Sequence, residues 1–429
     1  MYSINQTRNT FLSQMRTRRQ MGLQSFVRAQ STDAQPKKRP IYVAATEQHV
    51  GKTTTCLALI SGLKKRFPHS IGYMKPVGQQ HVPVHSKTLG KEIRVDKDVT
   101  LIREHFHLEH LDYQHMSPVL IPKGYTKDYI DGKVPLDEQL NKIVNAYEAI
   151  DEANEVVLCE GTGHCGVGSI VEASNAKVAS MIGGDMVLIA NGGLGKCFDQ
   201  LELNHALCQK HNVNVAGVII NKVMTSKYEQ TKDYMTRALE RWNVPLLGVI
   251  PDWPYLGHPC IADLERILDG KLLTGEKYRF RHFTVPDITL VTTSLTRFLI
   301  NLRTKESRTL YLCHATREDI VLGFLAEYNR RRRVGGDPFE AALVICGQQD
   351  RYEISKELED MIRVQEEEVP ILYSPHTTHH TMELIHRFTP KLNVSDKGRV
   401  VNAIKHYEKY IDYDLLLSRT GNILESEIN

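Results

Sequence analysis

The sequence lacks any apolar run approaching the roughly 18 residues that a membrane-spanning helix needs. Although it contains eight cysteines, none are spaced as C-x-x-C, and several lie inside apolar runs, such as Cys159 and Cys346. These cysteines predict small buried side chains in a reducing compartment, not a disulfide framework or a zinc site. We therefore expect no membrane partner and no structural zinc.

Acidic residues are almost absent from positions 1–39, which contain eight Lys and Arg residues and a single acid, Asp33. This stretch is also rich in Ser, Thr and Gln, a composition typical of an organelle transit peptide. Its arginines favour the mitochondrial matrix over a plastid, and a disordered basic tail on a cytosolic protein is the alternative. Residues 40–429 carry 46 basic and 50 acidic side chains, so the folded part lacks the general basic surface that a nucleic-acid partner requires.

A phosphate-binding loop is the clearest chemical signal, although it lacks the leading glycine of the usual G-x-x-x-x-G-K-[ST] pattern. A β-branched segment leads through a short polar loop into Gly51, Lys52 and Thr53, and an apolar helical pattern follows. In this strand–loop–helix context, N–H groups of the loop and helix cradle phosphate oxygens. Lys52 would reach the β- and γ-phosphates, and the Thr53 hydroxyl would ligate Mg²⁺. The alternative is an accidental match, because Ala45 or Thr46 stands where the glycine is expected.

Strands and helices alternate along residues 40–273, which predicts an α/β domain with a doubly wound, mostly parallel sheet. After the first strand at 41, further strands are expected at 70–77, 155–159, 186–190, 215–220 and 246–250. Residues 79–150 are polar and predict mainly helix. A charged linker at 274–284 then leads to a second, smaller α/β domain at 285–412, and 413–429 is expected to form a loose tail.

Three charged residues outside the loop are candidates for a metal or anion site. Glu160 follows an apolar strand, where the acidic metal ligands of parallel sheets lie. Asp98 opens a predicted helix, where it could serve only as a capping acid, and Asp96 competes with it. Lys75 ends the second strand, from which it could neutralise phosphate charge or hold an anionic substrate. The alternative for each is an ordinary charge at the end of a strand or helix.

The loop from Ala45 to Thr53 resembles the Gly-Thr-Asp-Thr-x-Val-Gly-Lys-Thr loop of dethiobiotin synthetases. Lys75-Pro76-Val77 and Glu160-Gly161 are similar to a strand end and a metal-binding pair of that family. The resemblance implies bound ATP and Mg²⁺, with Thr53, Asp98 and Glu160 as metal ligands and the strand-end Asn221 at the adenine. The cofactor-binding residues implied in this way are Glu47, His49, Val50, Gly51, Lys52, Thr53, Thr54 and Asn221.

A longer resemblance covers nearly the whole chain. Residues 160–169 and 191–195 are similar to the dethiobiotin-synthetase-like family, which forms the N-terminal part of long bacterial phosphate acetyltransferases and also occurs separately. Residues 316–322 and 370–375 resemble the DRTGG domain that follows it there, although Cys346-Gly347-Gln348 replaces the Thr-Gly-Gly of its signature. Because the transacetylase domain of those enzymes would follow the DRTGG part, this chain by itself is not expected to make acetyl phosphate.

These observations predict a protein that binds Mg-ATP, with a second domain that serves regulation or assembly. If the protein has an activity, phosphoryl transfer to a carboxylate or carbamate is favoured, with Lys52 and Lys75 as the catalytic residues. A dethiobiotin-synthetase-type ligase is one alternative, and a non-catalytic module that senses nucleotide is another. The expected partners are the nucleotide, a small carboxylate or amine, and further copies of the chain in a homo-oligomer.

Overall fold

The structure, a computed structural model, describes residues 38–283, 288–304, 308–335, 339–347, 354–364 and 369–422. Its strands are β1 (Ile41–Ala45), β2 (Ile71–Met74), β3 (Val77–Gly78), β4 (His81–Ser86), β5 (Lys91–Asp96), β6 (Val119–Leu120), β7 (Val156–His164), β8 (Asp185–Asn191), β9 (Val215–Val223), β10 (Leu246–Pro251), β11 (Lys271–Thr274), β12 (Thr289–Leu290), β13 (Leu310–His314), β14 (Ala342–Cys346) and β15 (Ile371–Ser374). Its helices are α1 (Lys52–Arg66), α2 (Lys97–Phe106), α3 (Tyr113–Met116), α4 (Tyr125–Ile130), α5 (Leu136–Glu152), α6 (Asn175–Ile182), α7 (Gly195–Lys210), α8 (Tyr228–Leu239), α9 (Ile261–Ile267), α10 (Leu295–Thr304), α11 (Glu318–Val334), α12 (Lys356–Arg363), α13 (Thr378–Arg387), α14 (Lys397–Glu408) and α15 (Tyr413–Thr420). No helix in this part of the chain is long and apolar enough to cross a membrane.

Some predictions fall on residues outside the described ranges. The predicted transit peptide does so apart from Lys38 and Arg39, and so do residue 284 of the predicted linker and 423–429 of the predicted tail. Gln348 of the altered signature triplet also lies outside them. These parts of the sequence interpretation stay predictions.

Six parallel strands form the larger sheet, in the spatial order β10-β9-β8-β1-β7-β2. Every residue of β1 is buried, and so are the first six of the seven residues of β8. Central strands of a parallel sheet are covered on both faces by helices, which explains why they read as continuous apolar runs in the sequence. The predicted α/β class with a doubly wound parallel sheet is confirmed.

The carboxyl ends of these strands bring together residues that are far apart in sequence. The loop 46–51 follows β1, and Lys75 follows β2. Glu160 lies on β7 directly opposite Val43 of β1, and Asn221 lies near the end of β9. The end of a parallel sheet at which strand order reverses is where ligands of such folds bind.

A hairpin of β4 and β5 occupies residues that the sequence interpretation took for mainly helix. The two antiparallel strands pair from His81 with Asp96 to Ser86 with Lys91. Val82, Val84 and Ile93 pack against the first domain's core at every second position. This period of two indicates a half-buried strand. The sequence interpretation missed it because the exposed residues make the segment polar on average.

The second sheet has the order β11-β15-β14-β13-β12, with β11 antiparallel to β15 and the other pairs parallel. Strands expected from the sequence at 309–313, 341–346 and 370–373 overlap β13, β14 and β15. The second unit is therefore a smaller α/β domain, as predicted.

The border between the domains differs from the predicted one. The predicted end of the first domain, at residue 273, falls inside β11, which pairs with the second sheet. Ile261 and Leu264 of α9 pack in one cluster with Leu310 and Leu312 of β13. The second domain thus begins at about residue 260, because the apolar face of α9 packs on the second sheet.

The end of the described chain returns to the first domain. The first domain's core includes Ile404 and Tyr407 of α14, although the sequence interpretation assigned 285–412 to the second domain. It also includes Leu416 of α15. The Tyr413 hydroxyl donates to the Ala58 carbonyl of α1 at 2.8 Å. The predicted loose tail at 413–429 therefore contains a helix with four buried residues, which are Tyr413, Leu416, Leu417 and Thr420.

Candidate functional site

The loop between β1 and α1 does not need its missing glycine. Ala45 still pairs with Ile189 as part of β1, and the Thr46 N–H donates to the Ile189 carbonyl at 2.8 Å. The left-handed conformations of this loop lie further on, at His49 with φ 62° and at Gly51 with φ 92°. Glycine tolerates a positive φ without steric cost, so the one glycine that the loop retains stands where the backbone requires it.

Thr53 and Lys52 meet two carboxylates beyond the loop. The Thr53 Oγ1 donates to Glu160 Oε1 at 2.9 Å and lies 3.4 Å from Asp98 Oδ2. The Lys52 Nζ lies 3.4 Å from the same Glu160 oxygen. Glu160 is fully buried, and a buried carboxylate must be paired to remain ionised. The first turn of α1 therefore presents a cation and a hydroxyl to two acids from other elements.

Lys75 bridges the two competing aspartates. Its Nζ donates to Asp96 Oδ1 at 2.9 Å and also to Asp98 Oδ2. Burial alone would lower the pKa of Lys75, but Asp98, Glu160 and Asp96 outweigh it and raise the pKa above its ordinary value. Burial likewise would raise the pKa of Asp98, but Lys75 and Lys52 hold it below its ordinary value. The lysine and Asp98 are therefore an ionised pair.

The structure separates the roles of Asp96 and Asp98. Asp96 caps α2 by accepting from the Asp98 N–H at 3.0 Å, and its other oxygen accepts from the Gln79 N–H at 3.0 Å. Asp98 instead faces Thr53. Asp96 is thus occupied by backbone groups, whereas Asp98 has an oxygen beside the candidate metal position.

Tyr73 is a member of this cluster that the sequence interpretation missed. Its hydroxyl donates to Glu160 Oε2 at 2.9 Å, and its side chain is fully buried. It stands two residues before Lys75, and side chains two apart along a strand point to the same face. That spacing is the signal that could have found it.

Asn221 lies behind the loop and not among the carboxylates. Its Nδ2 donates to the Val50 carbonyl at 2.6 Å and to the Tyr407 hydroxyl at 3.0 Å. Next to it, Lys222 Nζ donates to the His49 carbonyl at 2.6 Å. The predicted adenine residue therefore supports the loop backbone from β9. Its other partner, Tyr407 of α14, is a second residue that the sequence did not reveal.

Glu47 is bonded to residues outside the Lys52 cluster, which consists of Lys52, Thr53, Tyr73, Lys75, Asp98 and Glu160. Its carboxylate accepts from Gln200 Nε2 at 2.8 Å and from Asn191 Nδ2 at 2.9 Å, and these bonds hold its pKa below the ordinary value. Thr54 is half-buried in the first turn of α1. Of the predicted residues, the structure thus groups Lys52, Thr53, Lys75, Asp98 and Glu160, and places Glu47 and Asn221 on supporting contacts.

Replacing Gly51 with alanine should destabilise the loop. The new Cβ would lie 2.4 Å from Asn221 Nδ2, at a residue whose φ is 92°. Strain of this kind costs about 1–3 kcal/mol, and we expect a loss of that size in the free energy of unfolding. Gly195→Ala is the control, because nothing lies within 4 Å of its Cβ position and its φ is not positive. Urea unfolding of both variants measures the difference, and equal stabilities would contradict the geometry.

One group of side chains in the described residues has metal-ligand composition outside this cluster. Cys260, His282 and Asp396 are buried with ligand atoms within 4.8 Å of one another. Arg399 already occupies the space between them, because its Nε lies 3.1 Å from His282 Nε2 and 3.0 Å from Asp396 Oδ2. A guanidinium in that position takes the place of a cation, so this group does not suit a metal.

Comparison with known proteins agrees with the two-domain architecture. Residues 39–259, more than half of the chain, match the AAA domain. This chain belongs to the AAA domain family. Residues 263–388 match the DRTGG domain, which begins within α9 and not at the predicted residue 285. The AAA domain therefore holds the whole Lys52 cluster, and the DRTGG domain holds the second sheet.

Two curated relatives match different lengths of the chain. The phosphate acetyltransferase of Nitratidesulfovibrio vulgaris is 23% identical over 401 residues, which are 90% of this chain and 52% of that protein. The ATP-dependent dethiobiotin synthetase BioD of Methanocaldococcus jannaschii is 25% identical over 226 residues, which are 49% of this chain and 92% of that protein. The chain thus spans about half the length of the phosphate acetyltransferases that it matches.

Solved structures resemble this chain only distantly. The cell division protein MinD of Aquifex aeolicus is 14% identical, with a TM-score of 0.31. The matched region covers 51% of this chain and 84% of the MinD chain. That score is too low to support an argument about function.

Proposed function

We propose that this chain binds ATP together with Mg²⁺ at the loop 46–51 and the first turn of α1. The observation that carries the proposal is the position of the Thr53 hydroxyl, 2.9 Å from Glu160 and 3.4 Å from Asp98, with Lys52 beside them. In phosphate-binding loops, the lysine binds the β- and γ-phosphates, and the hydroxyl ligates the metal. The match of residues 39–259 to the AAA domain and the similarity to an ATP-dependent synthetase support it.

The residues present suit Mg²⁺. Two carboxylates and a hydroxyl supply the hard oxygen ligands that Mg²⁺ prefers, and phosphate oxygens commonly complete its coordination. Thr53, Asp98 and Glu160 would hold the ion. When bound, it would neutralise negative charge on the phosphates during phosphoryl transfer.

The chain's own residues would divide the remaining tasks. Lys52 would exchange its contact with Glu160 for the phosphates, while Tyr73 keeps Glu160 oriented from the buried side. Lys75, held by Asp96, would place a positive charge where an acceptor carboxylate or carbamate approaches. This arrangement suits transfer of the γ-phosphoryl group to the acceptor oxygen, with ADP as the leaving group.

Sensing of nucleotide without turnover is a second candidate, and the contacts of Asn221 favour it. Both amide hydrogens of Asn221 are engaged, one by Val50 of the loop and one by Tyr407 of α14. A nucleotide that displaces the contact with Tyr407 would act directly on α14. Measuring ADP release with small carboxylates and amines separates the two candidates, because a sensor would bind ATP without releasing ADP.

Replacing Glu160 with glutamine tests the metal part of the proposal. The variant keeps the size of the side chain but removes the charge, so Mg²⁺ should no longer strengthen ATP binding. We expect the Mg²⁺-dependent gain in affinity to fall about tenfold or more, as measured by calorimetry with and without EDTA. Glu155→Gln is the control, since Glu155 is exposed just before β7. An unchanged Mg²⁺ dependence in Glu160→Gln would refute the assignment.

A further inference from the structure

A cavity of about 470 Å³ lies where the second domain meets the start of α14. Its lining includes Tyr255, Arg281, His282, Arg308, Glu340 and Asn402. The cavity is separate from the Lys52 cluster, since none of the residues around Thr53 line it. Its walls combine aromatic rings with cationic groups, two carboxylates and an amide. Ligand pockets commonly pair apolar or aromatic walls with a few polar groups that orient the ligand.

Most charges at this cavity are already balanced. Arg308 forms a two-pronged contact with Glu340, with distances of 2.7 and 3.2 Å. Asp396 is paired with His282 at 2.8 Å and with Arg399 at 3.0 Å. Neither pair leaves a net positive charge to attract an anion.

Arg281 is the exception. Its Nη1 is buried and has no hydrogen-bond partner among the described residues. The guanidinium carbon lies 3.8 Å from the centre of the Tyr278 ring, so the ring covers one face of the guanidinium. A buried donor without a partner is costly, and a guanidinium binds carboxylates and phosphates through two parallel hydrogen bonds. Arg281 thus offers an oxyanion a positive charge and one unpartnered donor, Nη1.

The helix α14 joins this cavity to the phosphate-binding loop. Gly398 and Asn402, near its beginning, line the cavity. Tyr407, near the end of α14, does not line the cavity. Its hydroxyl accepts a hydrogen bond from Asn221, which also donates to the Val50 carbonyl of the loop. Gly398 and Tyr407 are nine residues apart in sequence, which corresponds to about 13 Å along a single helix. A ligand that shifts the start of α14 therefore acts on the loop through one rigid element.

We propose that this cavity binds a small organic oxyanion that carries a ring, and that α14 couples its binding to the nucleotide site. Arg281 holds the oxyanion, Tyr255 covers the ring, and Asn402 reports the ligand to α14. The binding itself is independent of the proposed function, and only the coupling rests on it. The oxyanion is a carboxylate or a phosphate ester, and both chemistries fit the guanidinium.

The chain contains its own reporter for the binding test. It has two tryptophans, and the ring of Trp253 lies 4.9 Å from the ring of Tyr255. Trp242→Phe leaves Trp253 as the only tryptophan, and its fluorescence should respond to a ligand at the cavity. The probes are phenyl phosphate and benzoate, which share a ring and differ in the anion, with benzyl alcohol as the neutral control. For ligands of this size, we expect Kd on the order of 1 mM for at least one anion.

Arg281→Gln should weaken binding of that anion about tenfold or more, because it removes the charge-assisted hydrogen bonds. Arg279→Gln is the matched control, since Arg279 is ion-paired with Glu276 at 2.8 Å and does not line the cavity. Arg281→Lys, which keeps the charge but loses the planar donor geometry of the guanidinium, repeats the test if Arg281→Gln does not fold, and it should also bind the anion more weakly. Absence of saturable binding of both anions, or equal binding by Arg281→Gln and Arg279→Gln, would overturn the site.

The coupling has a separate readout. With the preferred anion at saturation, the affinity for Mg-ATP should change about fivefold, and ATP should change the anion's affinity by the same factor. Tyr407→Phe keeps the ring but loses the hydroxyl bonded to Asn221, so it should abolish this change while leaving anion binding intact. An ATP affinity that does not respond to the anion would refute the coupling and leave the site standing. Failure of ATP to bind at all would refute the proposed function alone.

Discussion

Replacing Lys52 with alanine is expected to weaken Mg-ATP binding about 30- to 150-fold, because charge-assisted contacts of about 2–3 kcal/mol with the phosphates are lost. Lys52 is the cation that α1 presents beside Thr53 and Glu160. Calorimetric titration of the full chain with ATP in excess Mg²⁺ measures the change. The fold should persist, because Glu160 retains Thr53 and Tyr73 as partners.

Lys210→Ala is the matched control for this experiment. Lys210 is an exposed lysine at the end of α7, and its removal should leave the affinity for Mg-ATP unchanged. Circular dichroism of both variants verifies that they are folded. Equal affinities of Lys52→Ala and the parent chain would exclude the loop as the nucleotide site.

Replacing Arg399 with methionine should destabilise the protein by about 3–5 kcal/mol, because it leaves buried carboxylates without their cation. Arg399 is fully buried and contacts Asp263 and Asp396 at 3.0 Å each. These partners lie on α9 and directly before α14, so the arginine joins the second domain to the returning helix. Urea unfolding at neutral pH measures the loss.

Arg266→Met is the control that distinguishes the loss of a buried ion pair from the loss of an exposed one. Arg266 also contacts Asp263, at 3.2 Å, but its side chain is 63% exposed. An exposed pair contributes about 1 kcal/mol or less, so this variant should lose little. Similar losses for the two arginines would show that the buried network is not what stabilises the junction.

The parallel sheet was predictable because its strands are buried on both faces. Such strands read as uninterrupted apolar runs, and the six strands of the larger sheet were located to within a few residues, as were β13, β14 and β15 of the second sheet. The short strands β11 and β12 at the edges of the second sheet were not predicted. The hairpin of β4 and β5 was missed because only one side of it packs on the core, so exposed residues, most of them polar, alternate with Val82, Val84 and Ile93. A half-buried strand in a polar segment gives a weaker signal than a buried one.

The candidate site was predictable where a residue's position in a strand or loop determines its surroundings. Lys52 and Thr53 follow the loop after β1, and Lys75 follows β2 directly. These positions lie at the carboxyl edge of the parallel sheet, where Glu160 of β7 reaches them from within its strand. Asn221 shows where such reasoning ends, because its partner Tyr407 is 186 residues further along the chain. The return of α14 to the first domain depends on tertiary packing, which periodicity within a segment cannot reveal.

Titration of the full chain with ATP, first in EDTA and then in excess Mg²⁺, tests the central claim most directly. We predict saturable binding of one ATP per chain, tightened about tenfold or more by Mg²⁺, because Thr53, Asp98 and Glu160 would then hold the ion beside the phosphates. Absence of saturable binding in the presence of Mg²⁺, or an affinity that Mg²⁺ does not change, would contradict it.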